Sequence, residues 1–385
     1  MALIDFKVLP GIDKQDTESG AENRWVDCDN TRFRYGLPEK VGGWSSLVTD
    51  TIVGVARRQF AFVDLDGNRY VALGTDKFLI IYFEGQLYDI TPLKATLSSC
   101  TIATTNNSAI CSITKSNHGL SAGDIVLLDN VTLPGGTGYS NSDFEDKLFQ
   151  VTSVTSTSVF TITQSSNATA TVSTGGSLEV KPYEQVGPAE QSYGYGWGID
   201  SWGSGNWGEA ASASDVSLEP GLWSLSNFGQ VLVATIANGK TFTWNAGIAA
   251  RLTTRASTTT TSFQTTNNPT ATRVTLVSPT TRHLIHLGTE TTIGDTTTQD
   301  DMFIRFSDQE DINDYTPTAI NSAGTQRLQD GTKIIGALKA KETILVWTDN
   351  ALYTMKFIGS PFTFGFEQVG TNCGLIGKNA AVEID

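Results

Sequence analysis

The sequence has few of the residues that most often build metal, redox and acid–base sites. It contains 4 cysteines and 3 histidines among 385 residues, and the cysteines show no zinc or redox spacing. His283 and His286 are three positions apart, and in a strand that spacing directs two side chains to opposite faces. His118 precedes Gly119 and fits a turn position. We therefore expect no metal ion, no cofactor and no catalytic residues.

Two of the cysteines could face each other across a hairpin. Cys100 and Cys111 lie symmetrically on either side of Thr105-Asn106, and a hairpin centred on that dipeptide would place them opposite each other. A disulfide would then be sterically feasible, but a reducing cytosol favours free thiols. We expect the two thiols to be free.

The chain also lacks a long apolar run. The longest such run, residues 78–83, is far too short to cross a bilayer, and we find no amphipathic helical pattern of convincing length. The N-terminus has no basic region followed by a long apolar core, so it does not resemble a secretion signal. These features predict synthesis in the cytoplasm and a fold without long helices.

Positive charge is scarce as well. There are 26 Lys and Arg against 40 Asp and Glu, for a net charge of −14. This argues against a protein that binds nucleic acid tightly, because such binding requires Lys and Arg side chains that replace the phosphate counterions. It is compatible with a wall along which DNA slides, since an acidic surface repels phosphate. Ordinary solubility explains the same charge.

What the chain has is a repeated pattern of short strands and turns. In residues 341–369, two apolar runs flank Thr348-Asp349-Asn350-Ala351, and an aromatic run, residues 362–366, follows Gly359-Ser360-Pro361. Similar units occupy residues 70–91, 231–253 and 283–317. Asn, Asp and Gly between β-branched and aromatic runs are typical of hairpins, and the later units begin about 50–60 residues apart. The pattern predicts an all-β fold, most simply a β-propeller.

Two motifs add a family resemblance. Residues 30–44 read NTRFRYGLPEKVGGW, and the downstream run begins FSDQEDINDYTP at Phe306 and ends in GTNCGLIG. Together and in this order they resemble the tail nozzle proteins of short-tailed bacteriophages (the tail tubular protein B-like family), which are related to packaged-DNA stabilisation proteins. The region after the first repeat is outside the resemblance.

The resemblance implies a β-propeller subunit of a homohexameric ring in the virion tail, made in the host cytoplasm. Genome DNA would pass through the ring without tight binding, and the partners would be phage adaptor or portal proteins and tail fibres or spikes, with contact to the host envelope. It implies no catalytic, metal or cofactor residues, so we expect no enzyme.

The domain organisation follows from these patterns. We assign residues 1–50 to an extended N-terminal arm and first strand, and residues 51–94 to a first propeller blade. An inserted small β-sandwich or barrel, residues 95–182, interrupts the repeat. A Trp/Gly-rich loop follows at residues 183–217, and further blades occupy residues 218–385. Residues 370–385 resemble the opening strand of a further blade without its partners, so the last blade looks incomplete and we expect the natural chain to continue past Asp385.

The Trp/Gly-rich loop holds the candidate interface. Trp197, Trp202 and Trp207 recur every five residues, a spacing that fits neither a helix nor a strand. They either dock into an adjacent subunit or pack on their own propeller, and both interpretations remain open. Stacking on single-stranded nucleic acid is disfavoured because no Lys or Arg accompanies them.

Two patterns leave other functions open. Five acidic residues could include a glycosidase pair: Asp300, Asp301, Glu310, Asp311 and Asp314. Residues 64–68, DLDGN, faintly resemble a calcium loop but lack its later ligands, so we expect a β-turn.

The alternatives to a tail nozzle are a head-completion plug that stabilises packaged DNA and a glycan-binding or glycan-degrading propeller. A glycosidase should show converging carboxylates, and a tube subunit an arm that reaches a neighbour.

Overall fold

The computed structural model describes residues 8–190, 219–258 and 267–383. Over these residues the chain forms 25 β-strands, and its only helical elements are two short 3-10 turns, Asn141–Asp143 and Thr296–Thr298. The all-β prediction is therefore confirmed. None of the described helical segments has the length and apolarity that a membrane crossing requires. The chain divides into two compact units, Met1–Thr49 and Asp50–Asp385.

The first unit is small and contains two pairs of short strands. Strand β1 (Leu9–Ile12) pairs in parallel with β2 (Arg24–Trp25), and β3 (Thr31–Arg34) forms a hairpin with β4 (Leu37–Lys40). Tyr35 and Gly36 form the hairpin turn with φ angles of 51° and 80°, the left-handed conformation that tight hairpin turns require. Ala21 is the only buried apolar residue among the described part of this unit, so the unit holds little core of its own.

The second unit begins with a four-stranded antiparallel sheet, here called sheet 1. Its strands are β5 (Ala56–Val63), β6 (Arg69–Thr75), β7 (Leu79–Phe83) and β8 (Gln86–Asp89). The turn at residues 64–68 joins β5 to β6, and Glu84-Gly85 joins β7 to β8 with positive φ at both residues. The strands pair in chain order, because turns this short leave only the neighbouring strand within reach.

A closed six-stranded barrel follows sheet 1. Its strands are β9 (Leu97–Thr104), β10 (Ile110–Thr114), β11 (Ile125–Thr132), β12 (Lys147–Ser156), β13 (Val159–Thr163) and β14 (Val172–Pro182), in the closed order β10-β13-β12-β11-β14-β9. Alternate side chains fill its interior, including Ile102, Ile113, Leu128 and Phe160. The chain enters and leaves at one place, where Lys94 N–H donates to the Pro182 carbonyl at 2.8 Å. A small barrel is thus present, as predicted.

Three more sheets follow the barrel. Sheet 2 contains β15 (Trp223–Phe228), β16 (Val231–Ile236) and β17 (Thr241–Asn245). Sheet 3 contains β18 (Thr272–Val277), β19 (Leu284–Thr289), β20 (Phe303–Phe306) and β21 (Gly324–Arg327). Sheet 4 contains β22 (Ile334–Lys339), β23 (Ile344–Thr348), β24 (Ala351–Gly359) and β25 (Thr363–Thr371). All are antiparallel and pair in chain order.

Successive sheets share hydrophobic cores. Phe62 and Tyr70 of sheet 1 pack with Trp223 and Trp244 of sheet 2. Another cluster joins sheets 2 and 3, and a large third cluster joins sheets 3 and 4. An antiparallel sheet must cover an apolar face to be stable, and here each sheet covers the next one in the chain.

The structure differs from the sequence prediction in three places. Each sheet begins one strand earlier than the repeat pattern indicated, with β5, β15, β18 and β22 as the missed strands. In the barrel, Cys111 lies opposite Thr104, whereas Cys100 lies opposite Leu178. The two cysteines are therefore not cross-strand partners, and both are buried free thiols. Residues 372–383 form no strand, so the predicted opening strand of a further blade is absent from the described residues.

Candidate functional site

The first strands of the four sheets lie next to one another and enclose a cavity. Strand β15 lies beside both β5 and β18, and β18 lies beside β22. The segment after β25, residues 372–383, is here called the C-terminal segment and contacts the two outer strands of this group, β5 and β22. Asn379 bonds to Arg57 and Arg58 of β5, and the Lys378 carbonyl lies beside Gly336 of β22. The four strands and this segment line a cavity of ≈ 200 Å³.

Tight packing holds these strands in place. Gly74 of β6 lies directly beneath Trp223, where a β-carbon would come within 2.7 Å of the indole. The Trp223 indole N–H donates to the Thr75 carbonyl at 3.0 Å. This contact fixes β15 against sheet 1, because a buried indole requires an acceptor for its N–H.

Two cations face the cavity without an acidic partner. Arg58 Nη1 donates to Asn379 Oδ1 at 2.7 Å, and Lys339 Nζ donates to Ser226 Oγ at 2.7 Å. In the part of the chain that the structure describes, neither side chain is bonded to a carboxylate. Burial and the nearby charge of Arg58 lower the pKa of Lys339 to about 8, and burial lowers the pKa of Arg58.

A second charged group, called here the Glu219 network, lies beside the cavity. Arg273 donates from Nη2 to both carboxylate oxygens of Glu219, at 2.7 and 2.8 Å, and Lys333 Nζ donates to Oε1 at 2.9 Å. Lys378 Nζ lies 3.9 Å from Oε2, and Arg273 also donates to Asp301 at 3.2 Å. The network links sheet 3 to the start of sheet 4 and to the C-terminal segment.

The pKa values in the network reflect this arrangement. Burial alone would raise the pKa of Glu219, but hydrogen bonds from Arg273 and Lys333 and the charges of Arg273 and Lys378 outweigh it and lower the pKa to about 2. Burial and the charge of Arg273 lower the pKa of Lys378 to about 8, although Glu219 opposes this shift.

Together the cavity and the network hold more positive than negative charge. Five cations, Arg58, Arg273, Lys333, Lys339 and Lys378, stand against two carboxylates, Glu219 and Asp301. This balance is the reverse of the whole chain, whose net charge is −14. The cavity lining supplies cations together with hydroxyl and amide groups, the chemistry that holds an anion.

The predicted acidic group does not converge. Asp300 bonds Arg327 at 2.6 Å, Asp301 bonds Arg273, and Glu310 lies 3.5 Å from Arg282. The carboxylates of Asp311 and Asp314 accept bonds within their own loop, from Asn313 N–H and Asn321 respectively. The pattern reflects loop and surface ion pairing, so no glycosidase pair is assembled from these five residues.

The histidines bond to separate neighbours. His283 bonds Thr281 and Ser322, at 2.7 and 3.0 Å. His286 bonds Thr272 and Tyr315, at 3.1 and 2.9 Å. The two imidazoles do not converge, as their spacing predicts. Burial lowers the pKa of His283 to about 4 and that of His286 to about 3, so both are neutral at pH 7.

Two carboxylate clusters complete the survey of candidate metal ligands. In the turn of residues 64–68, the Asp64 carboxylate accepts bonds from Asp66 N–H, Asn68 and Tyr70, which is the bonding of a β-turn. In the barrel, Asp129, Glu145 and Asp146 lie close together. Asp129 is paired with Lys181, and Glu145 accepts two backbone N–H groups, so the structure already explains two of the three carboxylates.

The N-terminal unit exposes large apolar side chains. Tyr35 is 91%, Leu37 69%, Trp44 102% and Leu47 77% exposed. Three of these lie within the motif of residues 30–44, whose sequence pattern does not indicate that they are exposed. We refer to these four residues as the arm patch. The predicted interface residues Trp197, Trp202 and Trp207 lie outside the described residues.

No protein-family model matches the chain, and no curated protein sequence matches it. Among solved structures, the phage phi92 endosialidase aligns with 79% of this chain at 12% sequence identity and a TM-score of 0.25. The chain spans 46% of the length of that protein. A similarity at this TM-score carries no argument about fold or activity.

Proposed function

We propose that this chain is a non-enzymatic subunit of the tail nozzle of a short-tailed bacteriophage. In this proposal six copies form a ring in the virion tail, assembled after synthesis in the host cytoplasm. The ring is the wall of the distal DNA-exit tube, and its outer surfaces contact adaptor or portal proteins, tail fibres or spikes and the host envelope. The observation that carries the proposal is the arm patch.

The arm patch is a surface that requires a partner. Burying a large apolar side chain contributes roughly 1.5–3 kcal/mol, so leaving four of them exposed on one short segment forgoes a substantial stabilisation. Soluble monomers seldom expose such groups together, and clusters of them mark interaction sites. The hairpin that presents Tyr35 and Leu37 is held by an ion pair between Arg32 and Glu39 at 3.1 Å. We interpret the unit as an arm that docks on a neighbouring copy.

The four sheets are interpreted as blades of a β-propeller. Successive antiparallel sheets that share cores and bring their first strands together around a cavity are the organisation expected of blades. The barrel, which leaves and re-enters next to sheet 1, then projects as an add-on domain. We propose that it contacts another tail component.

The charge of the chain supports a passage role. With a net charge of −14, the surface repels phosphate and favours sliding of DNA over retention. A head-completion plug that stabilises packaged DNA would share the same arm and sheets. Its position in the particle distinguishes it from a nozzle, and labelling this chain in electron micrographs of intact virions would determine that position.

The assembly is tested by mass. Sedimentation or native mass spectrometry of the purified 41.3 kDa chain should show a ring several times that mass. The variant Leu37→Ser with Trp44→Ser should sediment as a monomer with an unchanged circular dichroism spectrum. Leu65→Ser is the matched control, because Leu65 is 83% exposed in the β5–β6 turn and outside the arm. A monomeric natural chain, or a double variant that still forms rings, would contradict the proposal.

A further inference from the structure

We propose that the cavity between β5, β15, β18 and β22 binds a small doubly charged oxyanion, such as inorganic phosphate, between Arg58 and Lys339. This site is separate from the arm patch and does not depend on the proposed function. The inference rests on the placement of two cations, on the hydrogen-bond donors around them and on the charge of their surroundings.

The two cations come from the first and the last sheet of the second unit. Arg58 belongs to β5, the first strand of sheet 1, and Lys339 ends β22, the first strand of sheet 4. Their charges are close enough that Arg58 contributes to the lowered pKa of Lys339. Two like charges facing one half-buried cavity repel each other, and an anion between them would convert that repulsion into two attractions.

The groups around the cations suit an oxyanion. An arginine guanidinium presents paired N–H donors that match phosphate oxygens, and a lysine adds a compact charge. Ser224 and Asn379 also line the cavity and offer a hydroxyl and an amide group. A volume of ≈ 200 Å³ exceeds the share of one water molecule, about 30 Å³, so an anion and several waters fit together.

The nearby carboxylates do not already fill this role. Glu219 is held by Arg273, Lys333 and Lys378, and Asp301 by Arg273. Arg58 donates to Asn379 and Lys339 donates to Ser226, and both of these acceptors are neutral. The two charges therefore have hydrogen bonds but no counter-charge among the described residues.

Binding at this place has a structural consequence. An anion that bridges Arg58 and Lys339 ties sheet 1 to sheet 4, two elements that the described strand pairings do not connect directly. A ligand that binds only the folded state stabilises it by an amount that grows with the logarithm of its concentration once that exceeds the dissociation constant. Phosphate should therefore raise the melting temperature of the protein as well as produce a saturable binding signal.

The test is titration calorimetry and thermal unfolding of the full chain at pH 7 with inorganic phosphate, against sodium chloride of equal ionic strength. We expect saturable binding of one phosphate per chain, competition by sulfate, and a melting temperature that rises with phosphate but not with chloride. Lys339→Gln should weaken phosphate binding at least tenfold. The matched control Lys356→Gln, an exposed lysine on sheet 4, should bind as the natural chain does.

Arg58→Gln provides a second variant if Lys339→Gln does not fold, and it should show the same loss of affinity. Three results would overturn the proposal. The natural chain could show no saturable phosphate binding, chloride could produce the same thermal shift, or both cavity variants could bind phosphate as tightly as the control. Each result is independent of the oligomeric state of the protein.

Discussion

Replacement of Glu219 by glutamine tests the Glu219 network directly. The side chain is 25% exposed and its carboxylate binds Arg273, whose side chain is only 6% exposed. Glutamine keeps the shape of glutamate but removes the charge that Arg273, Lys333 and Lys378 share. Removing one partner from a buried ion pair is destabilising, and only Asp301 would remain close to Arg273, so we expect a large loss of stability.

The magnitude follows from the pKa. Folding lowers the pKa of Glu219 from 4.5 to about 2, and each pH unit corresponds to 1.36 kcal/mol. The ionised carboxylate therefore contributes about 3 kcal/mol, in line with the roughly 3–5 kcal/mol that loss of one partner from a buried pair costs. Because the folded pKa is the lower one, this stabilisation is complete above pH 4.5 and disappears as the pH falls toward 2.

Denaturant unfolding followed by tryptophan fluorescence measures the effect. At pH 7 the Glu219→Gln variant should lose about 3 kcal/mol of unfolding free energy, and the difference from the natural chain should shrink as the pH falls from 4.5. The control Glu342→Gln changes the same residue type at an exposed position and should stay within about 0.5 kcal/mol. Equal stability of the two variants, or a gap that does not change with pH, would refute the reasoning.

The buried histidines, the contact between Gly74 and Trp223, and the barrel core each have a measurable consequence. In the unfolded chain His283 and His286 become protonated near pH 6.5, whereas in the folded chain both stay neutral down to pH 5. The free energy of unfolding should therefore fall by about 2 kcal/mol for each of the two histidines between pH 7 and pH 5. Imidazole NMR shifts should show both rings neutral at pH 5. Gly74→Ala should cost about 1–3 kcal/mol by overpacking against Trp223, measured by denaturant unfolding. Residues 95–182 expressed alone should give a β-type circular dichroism spectrum and a cooperative melt, because the barrel has its own core.

Imidazole rings that titrate near pH 6.5 would show that the two histidines are not held neutral by burial. Gly43→Ala should be nearly neutral, since an added β-carbon there meets nothing within 4 Å, and equal losses at Gly43 and Gly74 would remove the overpacking argument. A barrel fragment that aggregates without a cooperative transition would show that it depends on sheet 1.

Much of the local structure could be predicted because its causes are local. Thr348 and Ala351 bound a two-residue turn between β23 and β24, and Asn238-Gly239 lies between β16 and β17. Turn residues between apolar runs act within a few positions. The barrel is predictable for the same reason, because its sequence contains short alternating runs of apolar and polar residues.

Three of the four strands missed from the sequence carry cations whose surroundings come from elsewhere in the chain. Strand β5 carries Arg58 near its start, β22 ends with Lys339, and β18 contains Arg273 although all six of its residues are buried. These cations interrupt the apolar pattern that marks a strand. They are accommodated because they face a polar cavity or a carboxylate partner, neither of which a local pattern contains.

The sequence by itself determined the all-β class, most hairpin turns and a small barrel, because side-chain alternation and turn chemistry act over a few residues. Only the tertiary structure decided which strands meet at the cavity and which charges face each other there. Arg58 and Asn379 are 321 residues apart in the chain yet share a hydrogen bond. Contacts of that separation depend on how the sheets pack, and packing is a property of the whole chain.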